Sequence, residues 1–376
     1  MSQVKKIGVV FGGPSPEHDV SVLTGLQAAR ELERNASRTV SALYWSKAGE
    51  WFEVDPALEA AAFAEGVPSG ASPLRLMVGS DGGFAARAAL GRQKPLPVDA
   101  VLNCCHGGPG EDGSLQAVLD LAGIPHAGPT VAGAALGMDK LAFGALVTAL
   151  GLPALPRALL TSGEPVSYPG PYIVKPRFGG SSIGIEVVDE LATARALLSA
   201  SPHLRTGAVV EPYRGDLFDL NIAVRSWPDL SLSAIERPIR AGQGNPGGAG
   251  EIFGYADKYV PGVGMTGAPR ELPARIDPVT EKRIREAAAA VADVCGVRGV
   301  ARLDFLSDGN EIYVNEINTI PGSLARHLWI EPQLGFGELL EFMLDEAIAR
   351  PTASYTTAGA DGSVLAAAGS ISAKLG

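Results

Sequence analysis

A short apolar run, IGVVF at residues 7–11, opens the chain and ends in Gly12-Gly13-Pro14. An unbroken apolar run bounded by turn residues predicts a strand buried on both faces. Residues 17–33 read as a helix, and residues 40–45 and 100–104 repeat the strand pattern. A glycine-rich turn and a second helical stretch, 114–122, follow. Strands alternating with helices predict a parallel, doubly wound first domain over residues 1–135. Residues 55–95, rich in Ala, Gly, Ser and Pro, carry little periodic signal and read as loop and short pieces.

The pattern changes after that point. A helix over 139–150 opens a central unit, 136–214, in which strands at 172–175 and 184–188 flank a glycine-serine loop. A helix at 189–199 and a strand at 208–213 complete it. The third unit, 215–350, has strands at 220–227 and 231–237, then a glycine-rich loop at 241–267. A long helix at 278–295 leads to strands at 299–306 and 311–317 with charged residues at alternating positions, and a helix at 336–348 closes the unit. The Ala/Gly/Ser-rich tail, 351–376, is expected to be poorly ordered.

Composition narrows the class. A length of 376 residues favours two or three packed units, and an apolar share of 46% supplies their cores. The formal net charge of −10 argues against a nucleic-acid partner. Three cysteines, with Cys104 and Cys105 adjacent, do not make a disulfide framework and read as reduced, buried thiols. The opening MSQVKK runs into an apolar stretch too short for an export signal. No apolar stretch approaches the ~20 residues of a membrane span; the richest, 287–294, is broken by Asp293. The expectation is a cytoplasmic protein without a membrane partner.

The strongest chemical signal lies in EIYVNEIN, residues 311–318, with Arg302-Leu303-Asp304-Phe305 upstream. Strand side chains alternate with period two, so Glu316 and Asn318 share a face, as do Arg302 and Asp304. Neighbouring strands would then present Asp304, Glu316 and Asn318 as hard oxygen donors, a set suited to Mg²⁺. A solvated sheet face is the plainer alternative. A second signal is Lys175 followed by PRFGGSSIG, where exposed N–H groups and hydroxyls can cradle phosphate, although such loops are more often ordinary turns. It is not a Walker A loop, and the loop after the first strand lacks the dinucleotide fingerprint. Further candidates are the loop beginning at His106, the GGPSPEHD segment with Glu17, the pair Asp139-Lys140, and the lid-like FGYADKY at 253–259.

Taken in order, GGPSPEHDVSV, HGGPGEDGSLQ, GMDK, VKPRFGGSSIGI, FGYADKY, RLDF and NEINTIPG resemble the D-alanine–D-alanine ligase family of the ATP-grasp superfamily, from about residue 6 to residue 348. The resemblance implies an α/β, three-domain ATP-grasp fold, with a parallel-sheet N-terminal domain and two α+β lobes enclosing ATP. It also implies ligation of two D-alanines through a D-alanyl-phosphate for peptidoglycan precursor synthesis. Lys140 and Lys175 would bind phosphates under the Gly180-Ser181-Ser182 loop, Glu211 would lie at the adenine edge, Asp219 near the ribose, and Lys258 would also meet ATP. Asp304, Glu316 and Asn318 would hold two Mg²⁺ ions, with Mn²⁺ as a substitute. Glu17 would hold the first amino acid's ammonium in a network with Ser181 and Tyr259, His106 would help orient that substrate, and Arg302 with the Gly322 backbone would stabilise the tetrahedral intermediate. A homodimer is common in the family.

One segment departs from the family pattern. Members commonly continue NTxPGMTxxSLxP, with a serine on the second substrate's carboxylate; this chain has NTIPGSLARHLWIEP. Either Ser323 or His327 would take that place, with Ser323 favoured because it adjoins a rigid Pro-Gly turn. A ligase of another amino-acid or hydroxy-acid pair is the alternative activity. A non-catalytic nucleotide-binding regulator is disfavoured, since a binding module has no need of the whole constellation.

Overall fold

The computed structural model describes residues 5–79, 81–87, 93–239, 269–352 and 357–374. Among them, three sheets form. The first runs in the order β6-β5-β4-β3-β2-β1-β7-β8. Its strands are β1 (Lys6–Gly12), β2 (Thr39–Trp45), β3 (Trp51–Val54), β4 (Ser72–Met77), β5 (Gly83–Arg87), β6 (Gln93–Pro95), β7 (Ala100–Asn103) and β8 (His126–Ala127). Pairing is parallel between β2, β1, β7 and β8, and antiparallel from β2 through β6. The parallel reading thus holds for half of this sheet. Three strands of the other half, β4, β5 and β6, lie within 55–95, where the sequence suggested loop and short pieces. These strands are short, and β4 and β5 are anchored chiefly by buried Leu74, Phe84 and Ala85, which is too few apolar positions to produce a readable period.

The helix α1 (His18–Glu33) follows β1 and packs on it. Helices α2 (Ser114–Leu121), α3 (Val131–Met138) and α4 (Lys140–Ala149) lead to the second sheet. The helical reading begins only at 139, so α3 adds to it, and the expected boundary at residue 135 falls inside α3. The second sheet has the order β11-β10-β12-β9 and is antiparallel throughout, with β9 (Ala158–Leu159), β10 (Tyr172–Pro176), β11 (Glu186–Val188) and β12 (Ala208–Pro212). The helix α5 (Leu191–Ala200) packs beside it.

The third sheet, β15-β14-β13-β16-β17, comprises β13 (Phe218–Arg225), β14 (Ser231–Pro238), β15 (Arg270–Glu271), β16 (Val300–Ser307) and β17 (Ile312–Asn318). The helix α6 (Pro278–Val294) covers one face with Ile284, Ala288 and Val291 against Leu220, Ile222 and Leu303. Its start is well specified: Asp277 accepts the N–H groups of Val279 and Thr280, and Pro278 takes the first-turn position where no N–H is needed. The last long helix, α7 (Phe336–Ala349), follows the third sheet in the chain but buries Leu340, Met343 and Leu344 in the same core as Val9 and Leu102 of the first sheet. Packing therefore ties the end of the third unit to the first.

Candidate active site

The three sheets converge on a cavity of about 240 Å³. From the first sheet come Glu17 and the loop after β7; from the second, Lys175, the glycine-serine loop and Glu211; from the third, Arg302, Asp304, Glu316 and Asn318. Strand ends supply most of these groups, so rigid backbone fixes their positions.

Asp139 shows how local sequence builds the nucleotide end. It ends α3 and caps α4, accepting from the N–H groups of Leu141 at 3.0 Å and Ala142 at 3.3 Å. Its two carboxylate oxygens also take Arg177 at 2.8 and 2.5 Å, and the Lys140 N–H bonds the Arg177 carbonyl. The start of α4 is thereby fastened to the end of β10. Lys140 consequently faces the cavity, donating to the Gly179 carbonyl with Glu316 at 3.9 Å. Beyond it, Ser181 and Ser182 adopt left-handed backbone angles, φ 50° and 58°. Such angles in non-glycine residues cost about 1 kcal/mol or more each and cluster at ligand-clamping loops.

Lys175 donates to Glu211 at 2.7 Å and to Asn315 at 3.3 Å. Glu211 is buried and also accepts from Arg157 at 2.5 Å. Burial alone would push the Glu211 carboxyl up, but the charges and hydrogen bonds of Lys175 and Arg157 outweigh it and hold the group below its ordinary value. Its carboxylate is held in place by those two cations and still lines the cavity. Arg157 gave no signal in the sequence because an isolated arginine before a short strand has no distinguishing neighbours. Asp219 lies on the cavity wall at the start of β13, opposite Leu306.

In the third sheet the register sets Asp304 opposite Glu316 and Arg302 opposite Asn318. Arg302 binds Asp304 through both nitrogens, Nε at 2.6 Å and a terminal nitrogen at 2.7 Å, and Asn318 donates to Asp304 at 3.0 Å. Burial would lower the Arg302 pKa, yet the charges of Asp304, Glu236 and Glu316 raise it, so the guanidinium stays a cation. Two carboxylates and an amide oxygen on adjacent strands, within reach of Lys140, form a hard-oxygen set that fits Mg²⁺ beside phosphate.

The substrate end is built from α1 and the loop after β7. Glu17 precedes α1 but makes no side-chain cap; its carboxylate instead accepts the Ser181 hydroxyl. His106 is buried with both ring nitrogens engaged. The Ile320 carbonyl, 2.7 Å from Nδ1, must accept, so Nδ1 carries the proton and Nε2 accepts from Thr24 at 2.8 Å. Burial pushes this ring down to about 4, leaving it neutral at neutral pH. His106 lines the cavity, and with both ring nitrogens engaged it bears on a substrate through the Thr24 and Ile320 that it holds.

The segment after Gly322 carries the two residues, Ser323 and His327, between which the sequence left the second-substrate contact open. Ser323, Leu324 and Ala325 take consecutive left-handed angles, φ 47°, 52° and 51°, held by complete burial of Leu324 and Ala325. This reversal leaves Ser323 outside the cavity lining, with its N–H on Thr24 at 3.1 Å. His327 lines the cavity, 3.3 Å from Glu236. Glu236 also accepts from Arg270 at 2.8 Å. Sequence reasoning missed Glu236 and Glu111, both buried cavity carboxylates. Glu111 was visible only as part of a glycine-rich motif, and Glu236 only as one charged residue beside Arg237 in a mixed strand, SLSAIERP. Tyr259, Lys258 and the rest of the expected lid lie outside the described residues.

Comparison with known proteins agrees with this geometry. Residues 6–129 match the family model for the D-ala D-ala ligase N-terminus, and residues 157–345 match that for the D-ala D-ala ligase C-terminus. The chain belongs to the D-alanine–D-alanine ligase family. It is 30% identical to a D-alanine–D-alanine ligase of a Bradyrhizobium species, over 92% of this chain and 95% of that one. It is 32% identical to the Mycolicibacterium smegmatis enzyme of the same name, over 92% and 96%. Among solved structures, the VanG D-Ala:D-Ser ligase of Enterococcus faecalis is similar with a TM-score of 0.71, at 26% identity over 92% of this chain and all of that one. D-alanyl-alanine synthetase A of Vibrio cholerae, 22% identical over 93% of this chain and 100% of that one, shares the fold with a TM-score of 0.74.

Proposed function

We propose that this protein joins two D-alanines to D-alanyl-D-alanine at the expense of ATP, for peptidoglycan precursor synthesis. The observation that carries the reading is the convergence of Lys140, Lys175, Arg302, Asp304, Glu316 and Glu17 on one cavity. A carboxylate is a poor electrophile, so its oxygen first attacks the γ-phosphorus of ATP and ADP leaves. The amine of the second D-alanine then attacks the acyl-phosphate carbon and loses a proton, and phosphate departs.

Each residue group answers one need of that sequence. Lys140 and Lys175 hold phosphate oxygens with the backbone of Gly180 to Ser182. Asp304, Glu316 and Asn318 would hold Mg²⁺, or Mn²⁺ in its place, which when bound offsets the charge that builds up on the phosphates. Glu17, fixed by Ser181, takes the ammonium of the first D-alanine, and Arg302 faces the oxyanion of the tetrahedral intermediate together with the Gly322 N–H. Tyr259 and the loop around it would exclude water from the acyl-phosphate. The reading puts the reaction where ATP is supplied, in the cytoplasm.

An amino-acid panel scored by phosphate release tests the reading. D-alanine should be the best single substrate, and a panel in which D-alanine gives no phosphate above background refutes it. The second-substrate end has its own test. His327 lines the cavity and Ser323 does not, so His327→Ala should raise the second-site KM for D-alanine about tenfold or more, consistent with a lost charge-assisted contact. Ser323→Ala should leave it within about twofold. The reverse ranking would return the contact to Ser323.

A further inference from the structure

Glu111 stands at the end of the short turn Gly108–Gly110, after β7, and is 8% exposed. One carboxylate oxygen accepts from the Ile320 N–H at 3.0 Å and the Thr319 hydroxyl at 3.1 Å; the other accepts from the Gly107 N–H at 2.9 Å. His106, five residues earlier, takes the carbonyl of the same Ile320 at 2.7 Å. The loop 106–111 therefore grips Ile320 at both its N–H and its C=O. Ile320 lies between Asn318, at the end of β17, and Gly322, whose backbone faces the cavity.

The same loop also touches the amino-acid end. A side-chain carbon at Gly107 would come within 2.4 Å of a Glu17 oxygen and 2.7 Å of the Ser15 hydroxyl, so Glu17 sits directly on this loop. Gly107 has a left-handed φ of 63°, which glycine adopts without strain. One loop thus fixes the spacing between Glu17 on one side and the Asn318–Gly322 turn on the other.

We infer that Glu111 is a positioning residue for acyl transfer: through Ile320 it sets where the Gly322 backbone stands relative to the substrate held at Glu17. Although Glu111 lines the cavity, both of its oxygens are engaged by Gly107, Thr319 and Ile320, so it acts through Ile320, and the inference rests on the ligase reading above. Displacement of a transition-state donor by a fraction of an ångström slows the amine's attack without loosening ATP. Acyl-phosphate left waiting is then lost to water. Misplacement should therefore appear as uncoupling, with ADP released in excess of dipeptide.

Glu111→Gln is the discriminating change. It keeps the volume but replaces one acceptor oxygen with an NH₂ donor, so either amide orientation sets a donor against a backbone N–H. In the full-length enzyme we expect kcat for dipeptide to fall about tenfold, the ratio of ADP to dipeptide to rise well above one, and the ATP KM to stay within about twofold. Thr319→Val, which removes one hydroxyl and leaves the Ile320 bond intact, should uncouple in the same sense but less, and decides the matter if Glu111→Gln does not fold. A ratio that stays at one in the folded variant overturns the proposal, as does a fall in kcat matched by an equal rise in ATP KM. The unsubstituted enzyme is assayed alongside. If it makes no dipeptide, the ligase reading fails and takes this proposal with it; if it works and the variants remain coupled, only the proposal fails.

Discussion

Replacing Asp304 with Asn is expected to lower dipeptide formation by at least about a thousandfold, equivalent to ~4 kcal/mol of transition-state stabilisation. Two losses combine in that one change. The metal set loses a full negative charge, leaving Glu316 as its single carboxylate. Arg302, bound to Asp304 through two nitrogens at 2.6 and 2.7 Å, loses one of those two acceptors and the charge behind them, so the group facing the oxyanion is held less firmly. The protein should remain folded, because Asn fills the same space and the strand pairing of β13, β16 and β17 does not depend on the side chain. Steady-state phosphate release and dipeptide yield at saturating Mg²⁺, with a thermal melt as control, make the measurement. Turnover within tenfold of the unsubstituted enzyme would remove Asp304 from the metal site.

Lys175→Ala should reduce kcat about a hundredfold and raise the ATP KM, since a phosphate-binding cation acts in both the ground and the transition state. The effect on folding should be visible but smaller than removal of Glu211. Lys175 shares Glu211 with Arg157, which bonds the same carboxylate at 2.5 Å and remains to balance it. Taking away the carboxylate instead would strand two buried cations, a loss that typically costs several kcal/mol. A Lys175→Ala enzyme with unchanged ATP kinetics would mean that the glycine-serine loop is an ordinary turn.

Much of this site was legible in the sequence because its residues sit where backbone periodicity dictates their direction. Alternation along β16 and β17 brought Arg302, Asp304, Glu316 and Asn318 to one surface, and the register sets Asp304 opposite Glu316. The Asp139-Lys140 pair was readable as a cap followed by a cation, and the structure has that cap. What the sequence hid depends on contacts between distant segments. That both His106 nitrogens are engaged depends on Thr24 and Ile320, 82 and 214 residues away, which no local pattern announces. Between Ser323 and His327, three left-handed residues could not be foreseen: they put the Ser323 N–H on Thr24 of α1, while His327 lines the cavity. The antiparallel half of the first sheet escaped notice for a simpler reason: its strands are short and bury few large apolar side chains.

The central claim is that a carboxylate is activated by phosphoryl transfer before the new bond forms. D-alanine labelled with ¹⁸O in its carboxyl group tests it most directly. If an acyl-phosphate is formed and displaced by the second amine, one labelled oxygen must leave with each phosphate, and the inorganic phosphate recovered alongside D-alanyl-D-alanine should carry a single ¹⁸O. Unlabelled phosphate from turnovers that still yield dipeptide would contradict the account.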